Sequence, residues 1–183
     1  MTPMKIYTYV DNSNVYIEGC RFSAVKKGMS PSVHAAMNDG VVDHSWNIDY
    51  GRFHEFLCGA DKKEIGAAHL WGSPPPSDSF WSMVQSKGFQ VETFDKSLAG
   101  KEKKVDVAIA HRMTKDAYTL VDRRCDELTL VSGDKDFVPV VDDLVQEGFK
   151  VIIAFWSNAA NELKNSATRY ICLDSYFDLI SAR

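Results

Sequence analysis

The sequence lacks the short motifs that would settle a cysteine, histidine or nucleotide-loop chemistry at once. Its four cysteines, Cys20, Cys58, Cys125 and Cys172, are widely spaced and contain no C-x-x-C pair. They read as free thiols of a reducing compartment, not as a zinc site or a disulfide frame. The five histidines, at 34, 44, 54, 69 and 111, include no i, i+4 metal pair, so a core or surface role is the default for each. There is no G-x-S-x-G and no Walker-type loop. No apolar run approaches the ~20 residues needed to span a bilayer. The opening MTPMKIYTYVDN passes into a strand-like run without the apolar stretch of a signal peptide. A cytoplasmic protein with no membrane partner is expected. Positive charge is also in deficit: 21 Lys and Arg against 25 Asp and Glu leave −4, which argues against sequence-blind coating of nucleic acid. Internal repeats and linkers are missing too, so one domain over residues 1–183 is expected.

What is present is an ordinary globular composition, 45% apolar and 25% charged, in a chain of 183 residues that can bury a sizeable core. Short apolar runs at about 5–10, 65–71, 89–94, 127–132 and 150–155, with a further short one at 170–173, read as strands. Helical patterns lie near 13–26, 49–60, 77–87, 105–122, 136–147 and 158–167. That alternation predicts an α/β fold with right-handed crossovers and a mainly parallel sheet of five or six strands, covered on both faces. Gly88 and Gly148 stand just past helical patterns, where C-terminal caps belong. Residues 27–48 read as a polar excursion between the first two helices. GSPPPSD (72–78) reads as a rigid loop whose Ser77 or Asp78 caps the next helix.

The chemistry is carried by short acidic motifs. Asp11 and Asn14 lie in VDNSNVY, Asp106 in KKVDVAIA, and Asp134 and Asp136 in LVSGDKDF. In open parallel sheets ligands sit beyond the carboxyl ends of the strands, the side on which these motifs fall. Carboxylates there are costly to leave uncompensated, and hard oxygen-only ligands suit Mg²⁺ or Mn²⁺. Such ions polarise a phosphodiester and activate water. Asp134 and Asp136 give the strongest signal, since Gly133 permits a sharp turn directly off a strand; the plainer alternative makes either one the N-cap of the next helix. Asp11 ends the first strand, where strand order often reverses. Asn14 either orients a water or phosphate oxygen or caps the helix, while Ser13 is the better cap. Asp106 is raised by an apolar context that does not look solvated. Lys101, Lys103, Lys104, Arg112, Lys115 and Lys135 lie near these motifs, and for lysines a solvated surface role is the default. Trp71 and Trp156 end strands on the same side and could stack bases, though the core is the better assignment for both.

Taken together these residues resemble the NYN-domain family, the LabA-like branch of the PIN-like metal-dependent ribonucleases. The resemblance runs over most of the chain, through VDNSNVY, WNIDYGRFHEFL, GSPPP, GFQVETF, KKVDVAIA, LVSGDKDFVPVV and NELKNSATRYICLDSY. It implies a Rossmann-like three-layer sandwich, a Mg²⁺ or Mn²⁺ cluster and endonucleolytic cleavage of RNA, with single-stranded RNA as the partner. Carried over by position, Asp11, Asp106, Asp134 and Asp136 would hold metal and act in catalysis, with Asn14 supporting the cluster; Asn14, Arg112 and Lys135 are the candidates for binding substrate. One departure stands out. Relatives carry a second acid in a pattern like VDVALAVD; here the stretch reads VDVAIAHR, with Arg112 in its place. Asp116, one helical turn further on, is expected to point too far away to substitute. The departure implies a weaker or single-metal site and supports a non-catalytic RNA-binding or regulatory module as the alternative; otherwise Arg112 contacts the scissile phosphate bidentately. A haloacid-dehalogenase-type phosphatase would need a second Asp where Ser13 stands, and is disfavoured. Homo-oligomerisation is left open.

Overall fold

The computed structural model describes residues 3–73, 77–94 and 102–183, with side chains from Lys104 onward in the last segment. The strands are β1 (Ile6–Asp11), β2 (Ile65–Gly72), β3 (Gln90–Thr93), β4 (Glu127–Val131), β5 (Lys150–Phe155) and β6 (Arg169–Cys172). The helices are α1 (Asn12–Lys26), α2 (Val33–Asn38), α3 (Tyr50–Cys58), α4 (Asp78–Ser86), α5 (Glu102–Thr119), α6 (Val138–Gln146), α7 (Asn161–Ser166) and α8 (Phe177–Ile180). The strands form one six-stranded sheet in the order β3-β2-β1-β4-β5-β6, and every pairing is parallel. The expected α/β architecture is therefore found, with all six strands parallel.

The physical reason is legible in the burial. Along β1, β4 and β5 every residue after the first is buried, as in a sheet covered on both faces. Helices α1, α3 and α8 cover one face; α5, α6 and α7 cover the other. The edge strands β3 and β6 have four residues each, which limits the unpaired edge offered to another chain; β3 is largely exposed and β6 half-buried. Strand order reverses between β1 and β4, so the exits of these two strands flank the switch point of the sheet. Among the described residues, no helix is long and apolar enough to cross a membrane.

Two stretches carry more structure than their composition suggests. Within 27–48, the six residues of α2 are too few to show a helical period, but Ser32 caps them through Oγ to the Ala35 N–H (3.0 Å). The segment is anchored to α1 by buried Asp43, which accepts from Ser23 Oγ (2.6 Å), from Ser45 N and Oγ (3.1 and 2.6 Å), and pairs with Lys27 Nζ at 2.7 Å. Trp46 then stacks on Phe177 and edges against Trp156. Beyond β6, a 3-10 turn at Leu173–Tyr176 and α8 return the chain to α3, where Ile180 O accepts from Asp49 N.

Lys27, then the Ser23 and Ser45 hydroxyls, hold the Asp43 carboxyl below the usual carboxylate range. Asp43 therefore stabilises the fold fully above its unfolded value of about 3.9 and loses that contribution as pH falls through the folded value. Asp43→Asn is expected to lower stability by about 2 kcal/mol at neutral pH. Urea unfolding at pH 7 and pH 3 should show the gap between wild type and variant shrinking at the lower pH.

Candidate functional site

The turn leaving β4 is built to present two carboxylates. Gly133 is not among the glycines with positive φ, so the backbone angle does not require it. Space does: a Cβ there would lie 2.4 Å from the Phe155 ring and 3.2 Å from Ala159 Cα. The sharp turn expected of Gly133 is thus a close approach to β5. Four hydrogen bonds pin this turn. Gly133 N donates to Asn14 Oδ1 (3.2 Å), Ala160 N to Gly133 O (3.0 Å), Asp134 N to Ser132 Oγ (3.3 Å), and Asp136 N to Asp134 Oδ1 (2.9 Å). Asp134 is therefore the cap of the 3-10 turn Lys135–Phe137, and it does so with one oxygen of two. Phe137 re-enters the core, as the sequence suggests.

Asp106 reaches the same place from α5, which is seated by Ile109, Met113 and Ala117 in the core. Its surroundings are less buried than VDVAIA implies, because Val107 is 66% exposed. Asp106, Asp134 and Asp136 each offer a carboxylate oxygen, all within 4.8 Å of one another. Oxygens on an octahedral ion with bonds of about 2.1 Å stand roughly 3 to 4 Å apart, so this set of hard donors fits one small divalent cation. The cleft beside it, about 620 Å³, is lined by Asp106, Val107, Ala110 and residues Lys135 to Pro139, with Glu162 of α7 opposite. Lys135 is thus where the sequence suggests, while Glu162 was not anticipated: in NELKNS it is simply an acid in a first helical turn, where acids are common.

Asp11 is not one of the three converging acids. It is buried at the exit of β1 and is itself the N-cap of α1, accepting from Asn14 N at 3.2 Å. Capping therefore falls to Asp11 and not to Ser13, which is exposed. Asn14 neither caps nor faces the cleft lining: its side-chain oxygen holds Gly133 N across the switch point between β1 and β4. Trp71 and Trp156 are both core residues, with indole N–H groups bonded to Glu92 Oε2 and Val15 O. Pro74, Pro75, Pro76 and Lys101 lie outside the described residues.

Arg112 is not part of the cleft lining. Its Nε lies 3.1 Å from the carboxylate of Asp116, which is 1% exposed and also accepts from Tyr9 OH at 3.0 Å. His69, stacked on Tyr9, has Nε2 3.4 Å from the same carboxylate without hydrogen-bond geometry. Burial and the Asp116 charge push the Tyr9 phenol well above its usual range, so it stays a donor. Burial, together with the Arg112 charge, holds the His69 imidazole below its usual value. The arginine in the position of the relatives' acid is thus the counter-ion of a buried aspartate, and Asp116 is turned away from the acidic group.

A structural relative shares this scaffold over its whole length. A protein of unknown function from Vibrio parahaemolyticus superposes with a TM-score of 0.67 at 20% sequence identity, covering 99% of this chain and 98% of its own. That likeness concerns the fold. No curated protein matches the sequence. The model of the NYN domain matches residues 5–174, which include the β1 exit, the α5 acid and the whole β4 turn; the chain belongs to the NYN-domain family.

Proposed function

We propose that the protein is a divalent-metal-dependent endoribonuclease that hydrolyses phosphodiester bonds of single-stranded RNA. The observation that carries this is the convergence of Asp106, Asp134 and Asp136 within 4.8 Å at the carboxyl end of a parallel sheet, beside an open cleft that Asp106 and Asp136 line. Family membership supports a nuclease, and the all-oxygen donor set supports Mg²⁺ or Mn²⁺. When bound, such an ion supplies charge neutralisation at the phosphate and an activated water. The protein's own part is to hold and orient. Asp106, Asp134 and Asp136 bind the ion; the Ser132–Asp136 hydrogen bonds keep two of these acids in register. Asp11 acts from behind, fixing the start of α1 and with it Asn14, which positions the β4 turn. Lys135, exposed in the cleft, contacts a non-bridging phosphate oxygen of the substrate. Arg112, the feature that favoured a non-catalytic module, is taken up by Asp116, which leaves the acidic group without a competing cation from that position.

The test is cleavage of end-labelled single-stranded RNA with Mn²⁺, Mg²⁺ or chelator. Cutting confined to the metal-containing reactions supports the proposal; RNA binding that is salt-sensitive but without turnover in any metal refutes it. Binding of the ion is also expected to show in stability. At a hundredfold excess over its dissociation constant, Mn²⁺ should add about 2.7 kcal/mol. For a domain of this size that raises Tm by roughly 5 to 10 °C, measurable by differential scanning fluorimetry. An unchanged Tm would count against the ion site.

A further inference from the structure

The solvent face of α5 differs in charge from the rest of the molecule. From Lys104 to Thr119 its exposed residues are Lys104, Val107, His111, Lys115, Tyr118 and Thr119, none of them acidic. The two acids in this stretch are Asp106, in the converging group, and Asp116, buried and paired with Arg112. This occurs in a chain with four more acids than bases. The contrast with α6 is direct, since its solvent side carries exposed Asp142 and Asp143 and leads to exposed Glu147.

Spacing places the two lysines and the residues between them on one line. Lys104, Ala108, His111 and Lys115 follow one another at i, i+4, i+7 and i+11, the positions that share one side of a helix. At 1.5 Å per residue the line is about 16 Å long. It begins beside the acids: Val107, 66% exposed, lines the acidic cleft and also a second shallow cleft formed with Phe94, Lys104, Ala108 and His111. Arg112 borders the line, its Nε already held by Asp116. The far end is Tyr118, 50% exposed, with Arg123 over its ring.

We propose that this face of α5 is the track on which a single-stranded RNA lies as it enters the acidic cleft. Lys104 and Lys115, about 16 Å apart along the helix, contact backbone phosphates separated by roughly two or three nucleotides, and the apolar surface of Val107 with Phe94 and His111 receives a base between them. The arrangement fits a polyanion that must reach a cluster of carboxylates: cations along the approach offset the repulsion that the acids themselves exert. It fits a single strand because a base face is open to an apolar side chain only where the base is not stacked in a duplex. The inference rests on the nuclease proposal, and deepens it by naming how substrate is held.

The test is binding of a fluorescein-labelled, unstructured single-stranded RNA in chelator over a salt series, beside cleavage kinetics with Mn²⁺. Lys104→Ala/Lys115→Ala places good helix formers on an exposed surface, so folding is retained. The double variant is expected to bind about tenfold more weakly, with a salt slope smaller by about 1.4, which is the value for two lost phosphate contacts on a single strand. In the cleavage assay it should raise KM with kcat unchanged. Lys62→Ala/Lys63→Ala, exposed on the turn before β2, should behave as wild type. A double variant with wild-type affinity, slope and KM, in a protein that still cleaves, overturns the track and spares the nuclease proposal. A wild type that neither binds nor cleaves RNA overturns both.

Discussion

Asp134→Asn is expected to reduce metal-dependent RNA cleavage by at least about a hundredfold while leaving the fold intact. Two functions meet in this side chain, and the substitution separates them. The cap on the 3-10 turn needs only an oxygen to accept from Asp136 N, and the carboxamide of Asn supplies one. The charge is what is lost: three carboxylates within 4.8 Å become two. At an effective dielectric of about 20, a unit charge about 4 Å away is worth on the order of 4 kcal/mol, doubled for a divalent ion before desolvation is subtracted. A loss of 10²- to 10³-fold in ion affinity, about 3 to 4 kcal/mol, is the conservative reading of that figure. Stability in chelator should hold or rise slightly, because one of three like charges has gone. The measurement is cleavage of end-labelled RNA by wild type and variant purified identically, with the Mn²⁺-induced Tm shift as a second readout. Undiminished cutting by the variant sinks the assignment of Asp134, and equal cutting that ignores chelator exposes a contaminant.

Restoring the acid that relatives carry should damage this protein. Arg112→Asp is expected to lower stability by about 1.5 to 3 kcal/mol, the worth of a charged hydrogen bond and less than for a fully buried pair, because the Arg112 side chain is 36% exposed while Asp116 is buried. Asp116 would keep the Tyr9 hydroxyl as donor but lose its cation, and a second carboxylate would stand one turn away. His69 offers little relief, since burial and its surroundings favour the neutral ring. The interaction has a signature that simple surface damage lacks. Adding Asp116→Asn to Arg112→Asp should recover part of the loss, because the buried group no longer needs a counter-charge. Urea unfolding of the four proteins in the cycle gives the coupling directly. Additive losses in the double variant would show that Arg112 and Asp116 do not act as a pair.

These two positions also show what a single sequence reveals. The strands were legible because a sheet covered on both faces demands unbroken apolar runs, and β1, β4 and β5 supply them. Gly88 and Gly148 were legible because positive φ, here +114° and +87°, is chemistry that glycine tolerates. The group formed by Asp106, Asp134 and Asp136 was visible as motifs at strand and helix ends. What stayed hidden depends on direction. Asp11 and Asp134 both stand at strand ends and both cap the next element, yet the group within 4.8 Å contains Asp134 and not Asp11; the path of the backbone decides that, and no residue type announces it. Arg112 and Asp116 stand at i, i+4 in plain sight, but Tyr9, whose hydroxyl donates to the buried Asp116, is 107 residues from it. Helices α2 and α8 were missed for a simpler reason, having six and four residues and so no measurable period.

The bond between Asn14 and Gly133 constrains traffic as well as geometry. In an open parallel sheet the gap at the switch point is where a small ligand usually settles, between the first strand and its neighbour. Here the Asn14 carboxamide spans that gap, accepting from Gly133 N at 3.2 Å and tying the first turn of α1 to the β4 turn. The cleft beside the carboxylates opens on the flank between α5 and the start of α6. For the proposed nuclease, an opening on the flank suits a long polymer, which can lie across it, be cut at an interior position, and release its two fragments in opposite directions.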